Sequence, residues 1–154
     1  MSDMLKQISV INVMLTTTFL ILLFCAAYQD IRKKQIPDRI VFGIFVLSAA
    51  GLFLLDNPDV PEKIVGIFAV SVPMLVITMC VPGSFGGGDI KLMAACGMFL
   101  GAGNVFYSFF YALVLGGVYS IYLIIRKNKS VKTEFAFGPF LVSGILLQLI
   151  FQNF

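Results

Sequence analysis

Ile8-Ser-Val-Ile-Asn-Val-Met-Leu-Thr-Thr-Thr-Phe-Leu-Ile-Leu-Leu-Phe-Cys-Ala-Ala-Tyr28 contains no charged residue. A helix rising about 1.5 Å per residue needs a run of this length to cross the ~30 Å hydrocarbon core of a bilayer. The run is too long for the apolar core of a secretory signal. No small-residue cleavage site separates it from the basic stretch that follows. Five further apolar runs come after it: Ile40–Leu55, Ile64–Val81, Ile90–Gly101, Val105–Ile125 and Phe135–Phe151. The chain is 59% hydrophobic and 12% charged, whereas a soluble domain averages about 45–50% and about 25%. A chain of 154 residues cannot hide so much apolar surface from water, so lipid must be part of its solvent. These features predict an all-α integral membrane protein with six transmembrane helices, forming one membrane-embedded domain over residues 1–154. Pro73 is expected to kink the third helix.

The breaks between the runs are Gln29–Arg39, Asp56–Lys63, Pro82–Asp89, Ala102–Asn104 and Arg126–Glu134. The first, third and fifth, with Lys91 two residues past the third, hold Arg32, Lys33, Lys34, Arg39, Lys91, Arg126, Lys127, Lys129 and Lys132, nine of the eleven basic residues. The other side keeps Lys6 and Lys63 and carries Asp3, Asp56, Asp59 and Glu62. The positive-inside rule then places both termini on the extracytoplasmic side. A net charge of +3, spread over short loops, does not suggest a nucleic-acid partner.

The chain has no histidine. That removes the Ser-His-Asp triad, the Cys-His pair and His-based zinc sites. Cys25, Cys80 and Cys96 lie far apart in apolar runs and read as small hydrophobes. No metal and no cofactor is expected. The eight acids remain the main source of acid–base chemistry.

Asp30 closes the first run and Asp89 opens the fourth. Two complete runs lie between them, so parity puts both acids on one membrane face. A carboxylate in a bilayer is expensive, about 2.5–3.5 kcal/mol at the centre on insertion scales and less toward the edge. Two neighbouring acids can share one proton, because like charges resist ionising together. The ionised acid can then take a proton from water while the protonated one hydrogen-bonds the carbonyl under attack. Asp30 also reads as an interfacial acid beside Arg32, Lys33 and Lys34. Asp89 also reads as a cap on the fourth helix. It follows Gly86, Gly87 and Gly88, whose backbones have unusual conformational freedom and allow a substrate chain to approach closely.

Gly86-Gly87-Gly88-Asp89-Ile90-Lys91-Leu92, followed by Ala94-Ala95 and Gly97, resembles the GxGD motif of the type IV prepilin and preflagellin peptidases. Asp30-Ile31-Arg32 with Ile36-Pro37-Asp38 resembles that family's first aspartate motif. Phe137-Gly138-Pro139-Phe140 resembles the segment that leads into its last span. The three occur in family order. The chain departs from the pattern at Ala136, where proline is common, and at Asp38, where asparagine is frequent. The resemblance implies an aspartic endopeptidase of the cytoplasmic membrane, multi-pass, with its active site facing the cytoplasm. Its substrates would be prepilin-like precursors, from which it removes a short basic leader. It also implies that Asp30 and Asp89 are the catalytic pair. Gly86, Gly87, Gly88, Lys91, Pro37, Gly138 and Pro139 would shape the site or touch substrate. Large members carry two Cys-x-x-Cys pairs linked to N-methylation, and this sequence has none, so methyltransferase activity is not expected.

Some residues keep two readings. Lys91 either tunes the acids or snorkels at a helix end. Gly97 and Gly101, with Ala94 and Ala95, make the fourth helix small-faced for close packing. The basic loop after the fifth run sets topology or meets anionic headgroups. Rival functions are a GxGD protease with another substrate, a small transporter whose acids bind a cation, and a non-enzymatic assembly partner. The short runs and the glycines also predict a site whose acids close up only when substrate arrives.

Overall fold

A computed structural model describes residues 2–54, 58–127 and 136–152. The described residues form seven helices: α1 (Ser2–Lys33), α2 (Asp38–Leu54), α3 (Val60–Ala69), α4 (Ser71–Cys80), α5 (Gly87–Leu100), α6 (Ala102–Lys127) and α7 (Gly138–Gln152). No strand occurs among them. Three stretches are long and apolar enough to cross a membrane: Val10–Lys33, Val60–Cys80 and Ala102–Leu123. Many large apolar side chains face outward. Phe53 is 90% exposed and Ile125 76%, which water would penalise and lipid tails would not.

Six apolar runs give seven helices because the third run is interrupted at Val70. Pro73 has no N–H, and its ring would collide with the carbonyl four residues back, at Ala69. α3 accordingly ends at Ala69, and Val70 stays in the right-handed helical region, at φ −112° and ψ −38°, while interrupting the regular helix for one residue. α4 restarts at Ser71 and places Pro73 in its first turn, where the missing N–H would have no partner anyway. The disturbance expected from Pro73 is thus a one-residue interruption at Val70, spanned by a hydrogen bond from the Ser71 hydroxyl to the Ile67 carbonyl.

The other breaks are shorter than the charges suggest. α1 runs through Gln29 to Lys33 and stops where Lys34 turns left-handed at φ +51°. The Lys34 N–H still donates to the Asp30 carbonyl at 2.8 Å, closing the last turn beside that acid. Residues Ala102–Asn104, expected as a loop, are the first turn of α6; only Gly101, at φ +83°, separates it from α5. Lys63, expected in an outer loop, lies inside α3 and is fully buried. Its ammonium donates to the Gly51 carbonyl at 2.9 Å. Gly51 is in the last turn of α2, where carbonyls lack helical partners and a cation is favoured. Leu55 and Asp56, with Lys129, Lys132 and Glu134 of the fifth break and Phe135 of the sixth run, lie outside the described residues.

α5 is the hub. Nine of its fourteen residues are buried, among them Asp89, Leu92, Met93, Cys96 and Gly97. Its small residues make that possible. A Cβ on Gly97 would lie 2.0 Å from the Gly66 carbonyl oxygen, and one on Gly66 would lie 2.2 Å from the Gly97 oxygen. α3 and α5 therefore touch backbone to backbone. Gly144 of α7 approaches Ser108 of α6 equally closely. On the first helix, Phe19 stacks on Phe99 of α5 with ring centroids 4.1 Å apart, and both rings are buried.

Candidate active site

Asp30 comes from the last turn of α1 and Asp89 from the first turn of α5. They are 59 positions apart in sequence, yet both line one open cavity of about 710 Å³. Both are buried, with 5% and 7% of their surfaces exposed. Burial of two acids in a chain with so few charges demands compensation.

Asp30 has a clear partner. Its Oδ2 accepts the Gly138 backbone N–H at 2.7 Å. Gly138 is the first residue of α7, whose leading amides have no helical acceptors and whose dipole is positive at that end. Glycine is required there by space: a Cβ on Gly138 would lie 2.7 Å from Asp30 Oδ2 and 3.0 Å from its Cβ and Cγ. The third motif thus holds the first acid.

Asp89 is less well served. Its Oδ1 is buried with no hydrogen-bond partner. It precedes the apolar run Ile90–Gly101, and its carboxyl is pushed up to about 7. Burial is the largest cause, the facing charge of Asp30 adds to it, and a backbone hydrogen bond from Gly86 opposes both. Gly86 and Gly88 serve proximity rather than unusual dihedrals. Gly86 is extended at φ −70°, and Gly87 and Gly88 are already helical. A Cβ on Gly88 would sit 3.0 Å from the Ile36 Cβ, so this glycine seats the loop on the Ile36-Pro37 segment. A Cβ on Gly86 would sit 3.1 Å from Asp89 Oδ2. Gly87 has nothing within 4 Å and leaves its side of the cavity open.

Of the residues singled out by sequence, Gly86, Gly87, Gly88 and Pro37 line the cavity with the two acids. Gly138 joins through its amide. Pro139 stands outside the lining, and its carbonyl accepts the Ser143 hydroxyl at 2.8 Å within α7. Lys91 also stands outside. Its ammonium meets Asp38 Oδ1 at 2.8 Å, with the two side chains 59% and 76% exposed. An exposed pair of this kind contributes about 0–1 kcal/mol. It ties the start of α5 to the start of α2 and does not reach the buried acids. Lys33, Lys34 and Arg39 complete a basic rim on the cavity.

Sequence reasoning missed Gln29, which lines the cavity from a helix end with no chemical signature of its own, and named Ile36 only as part of a motif. Phe85 packs against both Phe137 and Phe109, at 5.7 and 6.0 Å between centroids. Phe85 precedes the glycines and Phe137 precedes Gly138, so this aromatic contact joins the second motif to the third. The chain has sixteen phenylalanines; Phe137 stood in the third motif, but nothing marked Phe85 or Phe109 as its partners. Among the described residues, no three histidine, cysteine or acidic side chains gather as a metal-ligand set.

Residues 17–121 match the type IV leader peptidase family. The chain is 27% identical over 135 residues to the prepilin leader peptidase/N-methyltransferase of Bacillus subtilis (strain 168). The aligned part covers 88% of this chain and 54% of that protein, so the chain spans about half the length of the curated relative it matches. No solved structure matches it.

Proposed function

Because this chain belongs to the type IV leader peptidase family, we propose that it is a membrane aspartic endopeptidase that removes the leader from prepilin-like precursors. The observation that carries the reading is the convergence of Asp30 and Asp89, buried, on one cavity. The reaction is hydrolysis of a peptide bond. One carboxylate takes a proton from water as the water oxygen bonds to the scissile carbonyl carbon. The other acid hydrogen-bonds the carbonyl oxygen and stabilises the charge that develops there. The carbon–nitrogen bond then breaks, and the proton taken from water passes to the departing amine.

Lipid places the reaction at a membrane face. We assign six crossings, with α3 and α4 forming the third, and a cavity open to the cytoplasm. The asymmetry of basic residues supports this orientation. The basic rim at Lys33, Lys34 and Arg39 lies on the cavity side, as cytoplasmic loops require. The proposal extends only to the peptidase part of the relative's name, since the aligned segment is about half of that protein.

The test is cleavage of a purified prepilin-like precursor, followed by the appearance of the shortened product. The parent is expected to cut it. Asp30→Asn and Asp89→Asn are each expected to lower the rate by about 10³-fold or more, the scale on which loss of an essential acid or base acts. Cleavage that survives either substitution would falsify the pair. A folded parent that cuts no precursor favours a transporter or an assembly role.

A further inference from the structure

The two acids are not equivalently placed, and the difference assigns them different work. This inference rests on the peptidase reading and deepens it. Asp30 accepts a backbone N–H at 2.7 Å from the first residue of a fifteen-residue helix. Donors of this kind favour the charged form of a carboxylate, and the positive end of α7 offsets the negative end of α1, where Asp30 sits. Asp89 lies in the first turn of α5 and has the Gly86 amide as a backbone donor, but that donor leaves its other oxygen unserved. Its Oδ1 is buried without a partner. A buried oxygen with no donor is a poor place for negative charge.

The other charged groups do not reverse this order. Lys33 and Lys34 from the end of α1 and Arg39 from α2 stand around the cavity that both acids share. Asp38 also lines it but is bound to Lys91. Gly138 brings a backbone amide from α7 and no charged side chain.

We propose that the Gly138 amide divides the labour of the pair: it holds Asp30 ionised as the base that activates water and leaves the shared proton on Asp89. Asp89 then meets the scissile carbonyl as a hydrogen-bond donor. Its unpaired Oδ1 is the atom that gains a partner when substrate arrives. Gly138 is a positioning residue. It touches neither water nor substrate and acts by fixing the oxygen of Asp30 that does not attack.

Infrared spectroscopy of the full chain in detergent reads the proton directly, without turnover. At about pH 5.5 ordinary carboxyls are ionised, so a protonated carboxyl gives an isolated C=O stretch. The parent should show that band. Asp89→Asn should lose it and Asp30→Asn should keep it. Asp30→Ser and Asp89→Ser supply the same subtraction should either amide variant fail to fold. The assignment is overturned by a band lost with Asp30 and kept with Asp89. It is equally overturned by a band lost in both variants, kept in both, or absent from the parent. The cleavage assay fails separately if the chain is no peptidase, so the two failures are distinguishable.

Discussion

Replacing Gly97 by alanine sets two effects of opposite sign against each other. Alanine is the better helix former by about 1 kcal/mol, and Gly97 is helical. Against this, the new Cβ would lie 2.0 Å from the Gly66 oxygen and 2.5 Å from its carbonyl carbon. An ordinary C···O approach is about 3.3 Å, so α3 and α5 must part by more than about 1 Å. Both offending atoms are main chain, and no rotamer change relieves them. Overpacking of this kind costs about 1–3 kcal/mol, and a backbone clash belongs at the upper end. The net expectation is a loss of about 2 kcal/mol, or about 4–8 °C at the scaling of a chain this size. Gly117 is the control. It lies in α6 with nothing within 4 Å, so Gly117→Ala should gain up to about 1 kcal/mol. Cys96 offers the assay, being fully buried beside Gly97. In a background with Cys25 and Cys80 replaced by serine, it is the one thiol left of three. Its labelling by a fluorogenic maleimide during heating in detergent then reports the opening of α5. A Gly97→Ala midpoint at or above that of the parent refutes the backbone contact.

Gly138→Ala forces the Asp30 carboxylate aside, because its Cβ would lie 2.7 Å from Oδ2; a shift of about 1 Å should lower precursor cleavage about 10²-fold, with little change in the melting midpoint. Asp89 also predicts a pH dependence of stability. Its carboxyl is raised from 3.8 to about 7 in the folded chain, so its favourable contribution is complete below pH 3.8 and is lost as pH rises through about 7. At 1.36 kcal/mol per pH unit the loss is at most about 4 kcal/mol, and melting of Asp89→Asn across this window should be flatter than that of the parent. Lys63→Ala removes a charged hydrogen bond to Gly51 and leaves a hole; it should destabilise by about 2 kcal/mol or more. Retention of the parent's melting midpoint would contradict a load on that side chain.

The helical, lipid-facing character was legible because it depends on composition and run length alone. The meeting of Asp30 and Asp89 was legible through parity, which needs only that helices count correctly. What the sequence concealed were matters of a few ångströms. Lys63 reads as a loop charge until α3 is seen to begin at Val60, which turns the side chain toward the end of α2. Lys91 stands two residues from Asp89, which invites a shared role. On a helix, positions two apart do not face each other, and Lys91 turns to Asp38 instead. Pro73 was readable as a disturbance, but the interruption falls at Val70, which carries no signal of its own. The contact of Gly138 with Asp30 spans 108 positions, and only the third motif's resemblance hinted at it.

The stack of Phe19 on Phe99 has a mechanical meaning. α5 is pinned to α3 through Gly66 and Gly97, so Asp89 rides on the fixed part. α1 leans on that part through Phe19, eleven residues before Asp30, or about 16 Å along the helix. The part of α1 from Phe19 to Asp30 is thus a lever, with an aromatic pivot at one end and the Asp30 carboxylate at the other. A tilt of about 5° about the pivot, on that ~16 Å arm, carries Asp30 about 1.4 Å. The gap between the two acids is governed from a point far from either, and a change in ring size at position 19 would be felt at the cavity.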